Sequence, residues 1–168
     1  MKHFKTLLLA TALCIGTISF TQAQTKVAHI NTQELIKAMP EMKTAQAELE
    51  ALSKTYQTDM QGSVTEFQNL QKQYEAEAKN KTDEENQKRI LELQEKQQRL
   101  QQFQQDAQKD LQSKEIALLQ PITEKAKAAI LKVSRAQGYD YVLDSGVGVT
   151  ILADGKDLLN DVKKDLGI

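Results

Sequence analysis

The chain has 168 residues, 40% of them hydrophobic and 27% charged, and its 22 basic and 23 acidic side chains leave a net charge of −1. That balance lacks the basic excess on which nucleic-acid binding depends. A single cysteine, Cys14, excludes an internal disulfide.

Residues 1 to 23 have the build of an export signal peptide. Lys2 and Lys5 give a basic start, Leu7 to Phe20 an apolar stretch without acids, and Thr21-Gln22-Ala23 a small-residue cleavage site ahead of Gln24. The stretch is short for a membrane span, and bulky Leu13 stands where a lipidated Cys14 would want a small neighbour. Cleavage after Ala23 leaves 145 residues with 20 basic and 23 acidic side chains, a net charge of −3, and no cysteine. Such a chain is compatible with an oxidising compartment, where it cannot mispair.

Lys26-Val27-Ala28-His29-Ile30 is a short strand candidate, and Asn31 to Glu34 opens a brief helix. Asn31 is a good N-cap, Glu34 occupies the reciprocal position of a capping box, and Ile30 and Leu35 flank them as a hydrophobic staple. Pro40 ends this helix and suits the first turn of the next.

From Glu41 to Gln137 the chain reads as two long helices folded back on each other. Leu49, Leu52, Tyr56, Met60, Val64, Phe67, Leu70 and Tyr74 recur at helical spacing, and Ile90, Leu93, Leu100, Phe103, Ala107, Leu111 and Leu118 continue the pattern after a break at Asn80-Lys81. Asn80 suits a left-handed residue closing the first helix. Thr82 and Glu85 have capping-box spacing for the second. So short a loop makes the helices antiparallel neighbours, and at 1.5 Å per residue the first would be roughly 58 Å long. A turn centred near Lys81 pairs residues whose numbers total about 162, placing Pro121 opposite Glu41 and beside Pro40. The expected organisation is therefore an arm at 41–120 and a body made from 24–40 and 121–168. Pro40, Pro121 and Gly62 are the hinge or kink candidates, Pro121 being expected to bend the returning helix rather than stop it.

Gly138 ends the long helix, and Tyr139 to Asp144 and Val147 to Leu152 read as two strands of a hairpin. Asp154-Gly155 turns the chain, Asp157 can cap, and Leu158, Leu159, Val162 and Leu166 form the apolar face of a last helix closed by Gly167. The fold class is mainly α with a small β body. So small a body, with open strand edges, favours self-association.

The search for chemistry finds no catalytic, cofactor-binding or metal-binding constellation. His29 is the only histidine after processing and reads as a packed strand residue. Asp154-Gly155-Lys156-Asp157 lacks the spacing of a calcium loop, and no phosphate-binding glycine loop, zinc pattern or nucleophile elbow is present. Glu84 and Glu85 are ordinary acids of a helix start. The glutamines at 94, 97, 98, 101, 102, 104, 105 and 108 read as a solvated helix surface. Under the pairing above, Val64 and Phe67 face Gln94, Gln97 and Gln98 and lack an apolar partner, unless a shift in register lets Leu93 or Leu100 cover them. With Met60, Leu70 and Tyr74 they form the candidate patch for binding another protein.

An export signal, a first strand ending in Ile30-Asn31, a long charged hairpin, GYDYVLDSG at Gly138 to Gly146 and a terminal DLLNDVKKDLGI together resemble the periplasmic chaperones of the Skp (OmpH-like) family. The resemblance implies a periplasmic homotrimer joined through its β body, whose helical arms enclose a cavity for unfolded outer-membrane proteins, acting as a holdase without ATP or any cofactor. Residues 72 to 89 depart from the basic arm tips of the best-known relatives: Lys72, Lys79, Lys81, Lys88 and Arg89 are balanced by Glu75, Glu77, Asp83, Glu84 and Glu85. That balance removes the ground for expecting membrane-surface binding at the tip. The competing reading is a structural coiled-coil adaptor or tether of the cell envelope, against which stand the short flanks of the hairpin.

Overall fold

The computed structural model describes residues 25–146, 148 and 150–168. The expected signal peptide lies outside them. In chain order the elements are strand β1 (Val27–Ile30), helix α1 (Thr32–Ala38), helix α2 (Pro40–Glu77), a 3-10 turn (Ala78–Asn80), helix α3 (Asp83–Ala136), strand β2 (Tyr141–Asp144), strand β3 (Lys156–Asp157) and helix α4 (Leu159–Leu166).

The short helix α1 starts at Asn31, whose side chain accepts from the Glu34 amide at 3.0 Å. The Glu34 carboxylate does not return the bond but reaches Lys163 on α4, 3.3 Å away. Met39 is extended, as the residue before a proline prefers, and Pro40 takes the first position of α2, where a missing N–H costs nothing. α2 then runs 38 residues, through Gly62, without a break.

The turn between the long helices corrects one expectation. Asn80 is not left-handed, since no non-glycine residue has positive φ among the described residues. The chain tightens into the 3-10 turn and becomes extended at Lys81. The Asn86 side-chain amide closes the end by donating from Nδ2 to the Ala78 carbonyl at 3.0 Å. Thr82 and Glu85 form the full capping box. α3 continues for 54 residues with Pro121 inside it, so the proline leaves the Ala117 carbonyl without its helical donor but does not stop the helix.

The sheet is where the sequence misleads most. Its order is β2-β1-β3, and β1 pairs in parallel with both neighbours. Among the described residues no hairpin follows 139–144: those of 147–152 are not strand, and the third strand lies further on, at Lys156–Asp157. The physical reason is the free edge of β1. With β2 along one edge, a parallel strand can occupy the other only if the chain first travels back between the end of β2 and the start of β3.

The core belongs to the body. Ile30, Leu35, Met39, Leu158 and Val162 are its most deeply buried large side chains, packed with Ile122, Ala126, Ala129 and Val133 of α3. Asp157 accepts from the Leu159 amide at 2.8 Å at the start of α4, and Gly167, left-handed at φ 74°, closes it.

Asp144 ties this body together. Burial pushes its carboxyl up, but hydrogen bonds from the Thr32 hydroxyl and from the Gly146 and Thr32 amides outweigh that and hold it below the ordinary aspartate range.

Candidate functional site

Among the described residues no side chain between Ala45 and Ile122 is buried. Two helices alone cover only one stripe of each other, so the seam residues of α2 and α3 stay half-buried. Polar contacts stitch the seam: Glu48 to Lys114 and Glu66 to Lys96 at 2.7 Å, Tyr56 to Asp110 at 2.7 Å, and Glu41 to Lys125. The residue numbers total 162 for the first two pairs and 166 for the last two, within about one helical turn of the expected register.

Midway along the hairpin, one face opens into a groove of about 580 Å³. Its floor is apolar, built from Tyr56, Met60, Val64, Phe103, Ala107 and Leu111. The Phe103 ring meets Tyr56 edge-on, with centroids 5.9 Å apart. Next along the arm, Phe67, Leu100 and Phe103 line a smaller depression of about 240 Å³ with Lys96 and Arg99.

Met60, Val64, Phe67, Leu70 and Tyr74 are therefore all half-buried on the seam side. Val64 and Phe67 do not face bare glutamines. Phe103 lines both hollows and Leu100 the smaller. Tyr74 is committed to the hairpin, with its hydroxyl on Glu92 at 2.6 Å and its ring under the Arg89 guanidinium at 4.5 Å. Arg89 also pairs with Glu77 at 2.5 Å.

The directions of titration follow these contacts. The hydrogen bond to Asp110 pushes the Tyr56 phenol up, and that to Glu92 does the same for Tyr74. Lys96 holds the Glu66 carboxyl low, as Gln73 and then Arg89 do for Glu77. Among the described residues no cluster of three His, Cys, Asp or Glu could hold a metal ion, and no helix is long and apolar enough to cross a membrane.

A second surface was missed in the sequence. On the outer face of the sheet Val27, Tyr141 and Leu143 are 44%, 64% and 46% exposed, while Ala28 and Ile30, which alternate with Val27 along β1, are buried. Val27 stands opposite Tyr141, and His29 opposite Leu143. The signal was there as period-two alternation within VAHI and YVLD, but without the parallel pairing nothing showed that the two outward sets adjoin.

A model of the OmpH-like outer membrane protein family matches residues 26–166. No curated protein sequence matches the chain. In three dimensions it is similar to a crystal structure from Caulobacter crescentus CB15, of a protein assigned as an OmpH-like outer membrane chaperone, with a TM-score of 0.76 and 21% identity. That likeness covers 86% of this chain and 85% of the other, and it shows that the two share the long helical hairpin on a small stranded body.

Proposed function

The chain belongs to the OmpH-like outer membrane protein family, and from that premise we propose that it is a chaperone that holds unfolded outer-membrane β-barrel proteins in the periplasm without ATP. The observation that carries this reading is the arm itself. A hairpin whose apolar seam stays half-buried along its whole described length offers shallow, repeated apolar surface rather than one deep pocket. Barrel precursors carry alternating apolar residues in every strand, so many weak contacts sum to a useful affinity. Binding only the unfolded state is all that holding requires thermodynamically.

The proposed contacts are Met60, Val64 and Phe67, with Leu70 and Tyr74 beyond them, and the arm is taken as 41–120 with Pro40, Gly62 and Pro121 as points where it adjusts to client size. The proposed assembly is a homotrimer joined through the body. The apolar outer sheet face supports association, since a small body that exposes Val27, Tyr141 and Leu143 side by side gains by covering them.

The native mass of the processed protein, measured with and without a urea-diluted outer-membrane β-barrel protein, tests both parts. The expected result is a trimer alone and a discrete trimer–client complex on mixing. A monomer at micromolar concentration, or a client that aggregates without forming a complex, contradicts the proposal.

A further inference from the structure

The mid-arm groove differs from its surroundings in its rim, formed by Gln57 and Gln61 on α2 and by Gln104, Gln108 and Gln112 on α3. Glu115 is the only charged residue lining it. The other side of the hairpin at this level is charged, with Asp106, Lys109 and Asp110 around Tyr56 and Phe103. The five rim amides make no side-chain hydrogen bond among the described residues, whereas Gln71, Gln73, Gln102 and Gln120 are each tied to a carboxylate four residues on.

Spacing gives the rim its meaning. Steps of four residues on a helix set successive amides about 6 Å apart. One edge of an extended polypeptide repeats its N–H and C=O groups about every 6.7 Å. Over the two steps from Gln104 to Gln112 the mismatch is about 1.4 Å, which flexible glutamine side chains absorb. Each amide both donates and accepts, so a row of them fits a backbone edge whatever the sequence. Along α2 the groove runs from Ser53 to Val64, about 16 Å, which is room for about five extended residues.

We infer that this groove binds one extended, uncharged segment of an unfolded polypeptide, with alternate apolar side chains on the Met60, Val64, Phe103 and Leu111 floor and the backbone edge hydrogen-bonded to the glutamine rim. The inference rests on the holding function proposed above and adds a site and a mode of recognition. It accounts for a binder indifferent to sequence yet selective for extended chains, because the rim reads main chain and the floor reads the period of two. An anionic ligand does not suit the groove, which offers Glu115 and no cation.

The test compares two triple variants. Gln61→Ala, Gln104→Ala and Gln108→Ala remove three rim amides, while Gln98→Ala, Gln101→Ala and Gln105→Ala remove three amides outside the groove. Alanine favours helix in both, and circular dichroism and native mass check the fold. The probe is a fluorescently labelled outer-membrane β-barrel protein diluted from urea, and the readout is its release rate under competition with unlabelled protein. The expected result is release roughly tenfold faster from the rim variant and unchanged from the control. Wild-type release from the rim variant overturns the site while holding itself stands, and equal acceleration in both variants overturns it in favour of a diffuse amide surface. A rim variant of altered native mass overturns it by showing that a second copy fills the groove. Failure of the wild type to bind the probe refutes the holding function and the site together.

Discussion

The Thr32 hydroxyl donates to Asp144 Oδ2 at 2.5 Å, joining residues 112 positions apart at the point where the first strand becomes helix. The other Asp144 oxygen accepts from the Gly146 amide at 2.8 Å and the Thr32 amide at 3.3 Å. Asp144→Ala leaves these donors without partners in a half-buried place, and we expect a loss of about 1–3 kcal/mol. Gly146→Ala should also destabilise, because a Cβ there would lie 2.3 Å from Asn31 Oδ1. Urea unfolding of both variants checks this, and wild-type stability in either would show that the knot is not structural.

Acid should loosen the same knot. The folded-state pKa of Asp144 is lowered, so its contribution is fully present above the ordinary aspartate value of about 3.9 and fades as pH falls through the lower folded value. Glu41, Glu66 and Glu77 on the arm are shifted in the same direction, Glu41 first by its bond to Lys125. Thermal unfolding followed from pH 7 to 3 should show stability falling mainly below about pH 4, and less steeply in Asp144→Asn. A flat profile would contradict the assignment.

Local signals that answer to one physical cause were legible in the sequence. The Thr82-Glu85 capping box, the Asn31 cap and the two long stripes depend on residues within a turn of each other, and they are found except at Ile90, which is 55% exposed. What was not legible depends on partners far along the chain. Val147 to Leu152 has the alternation of a strand, but the third strand is Lys156–Asp157, paired in parallel with β1. Glu34 has the right spacing for a capping box and is drawn off by Lys163, 129 residues away. Phe67 was matched to glutamines by pairing single positions across the seam, whereas it lines a hollow with Leu100 and Phe103.

Near the arm tip Arg89 is held by Glu77 and by the face of Tyr74, in a cluster that also includes Glu92. Arg89→Ala should cost about 1–2 kcal/mol locally and speed amide exchange in residues 74–92 while leaving the body unchanged. Exchange that rises equally in body and tip would show that the arm does not open on its own.

On the proposed assembly through the body, Tyr141→Ser with Leu143→Asp should separate the subunits, since both side chains lie on the exposed outer face of the sheet and contribute nothing to the buried core of one chain. Sedimentation equilibrium is the check. Native oligomer in this variant would place the contact elsewhere.

Holding of unfolded barrel proteins is proposed to belong to the arms. Light scattering of an outer-membrane β-barrel protein diluted from urea, without nucleotide, tests it most directly with three samples: no addition, the processed wild-type chain, and a chain lacking Asp59 to Arg99, which removes the outer arm from both helices. The wild type is expected to suppress scattering at near-stoichiometric amounts, and the shortened chain to keep the native mass of the proposed assembly but not to suppress it. Suppression by the shortened chain equal to the wild type would place holding in the body rather than the arms.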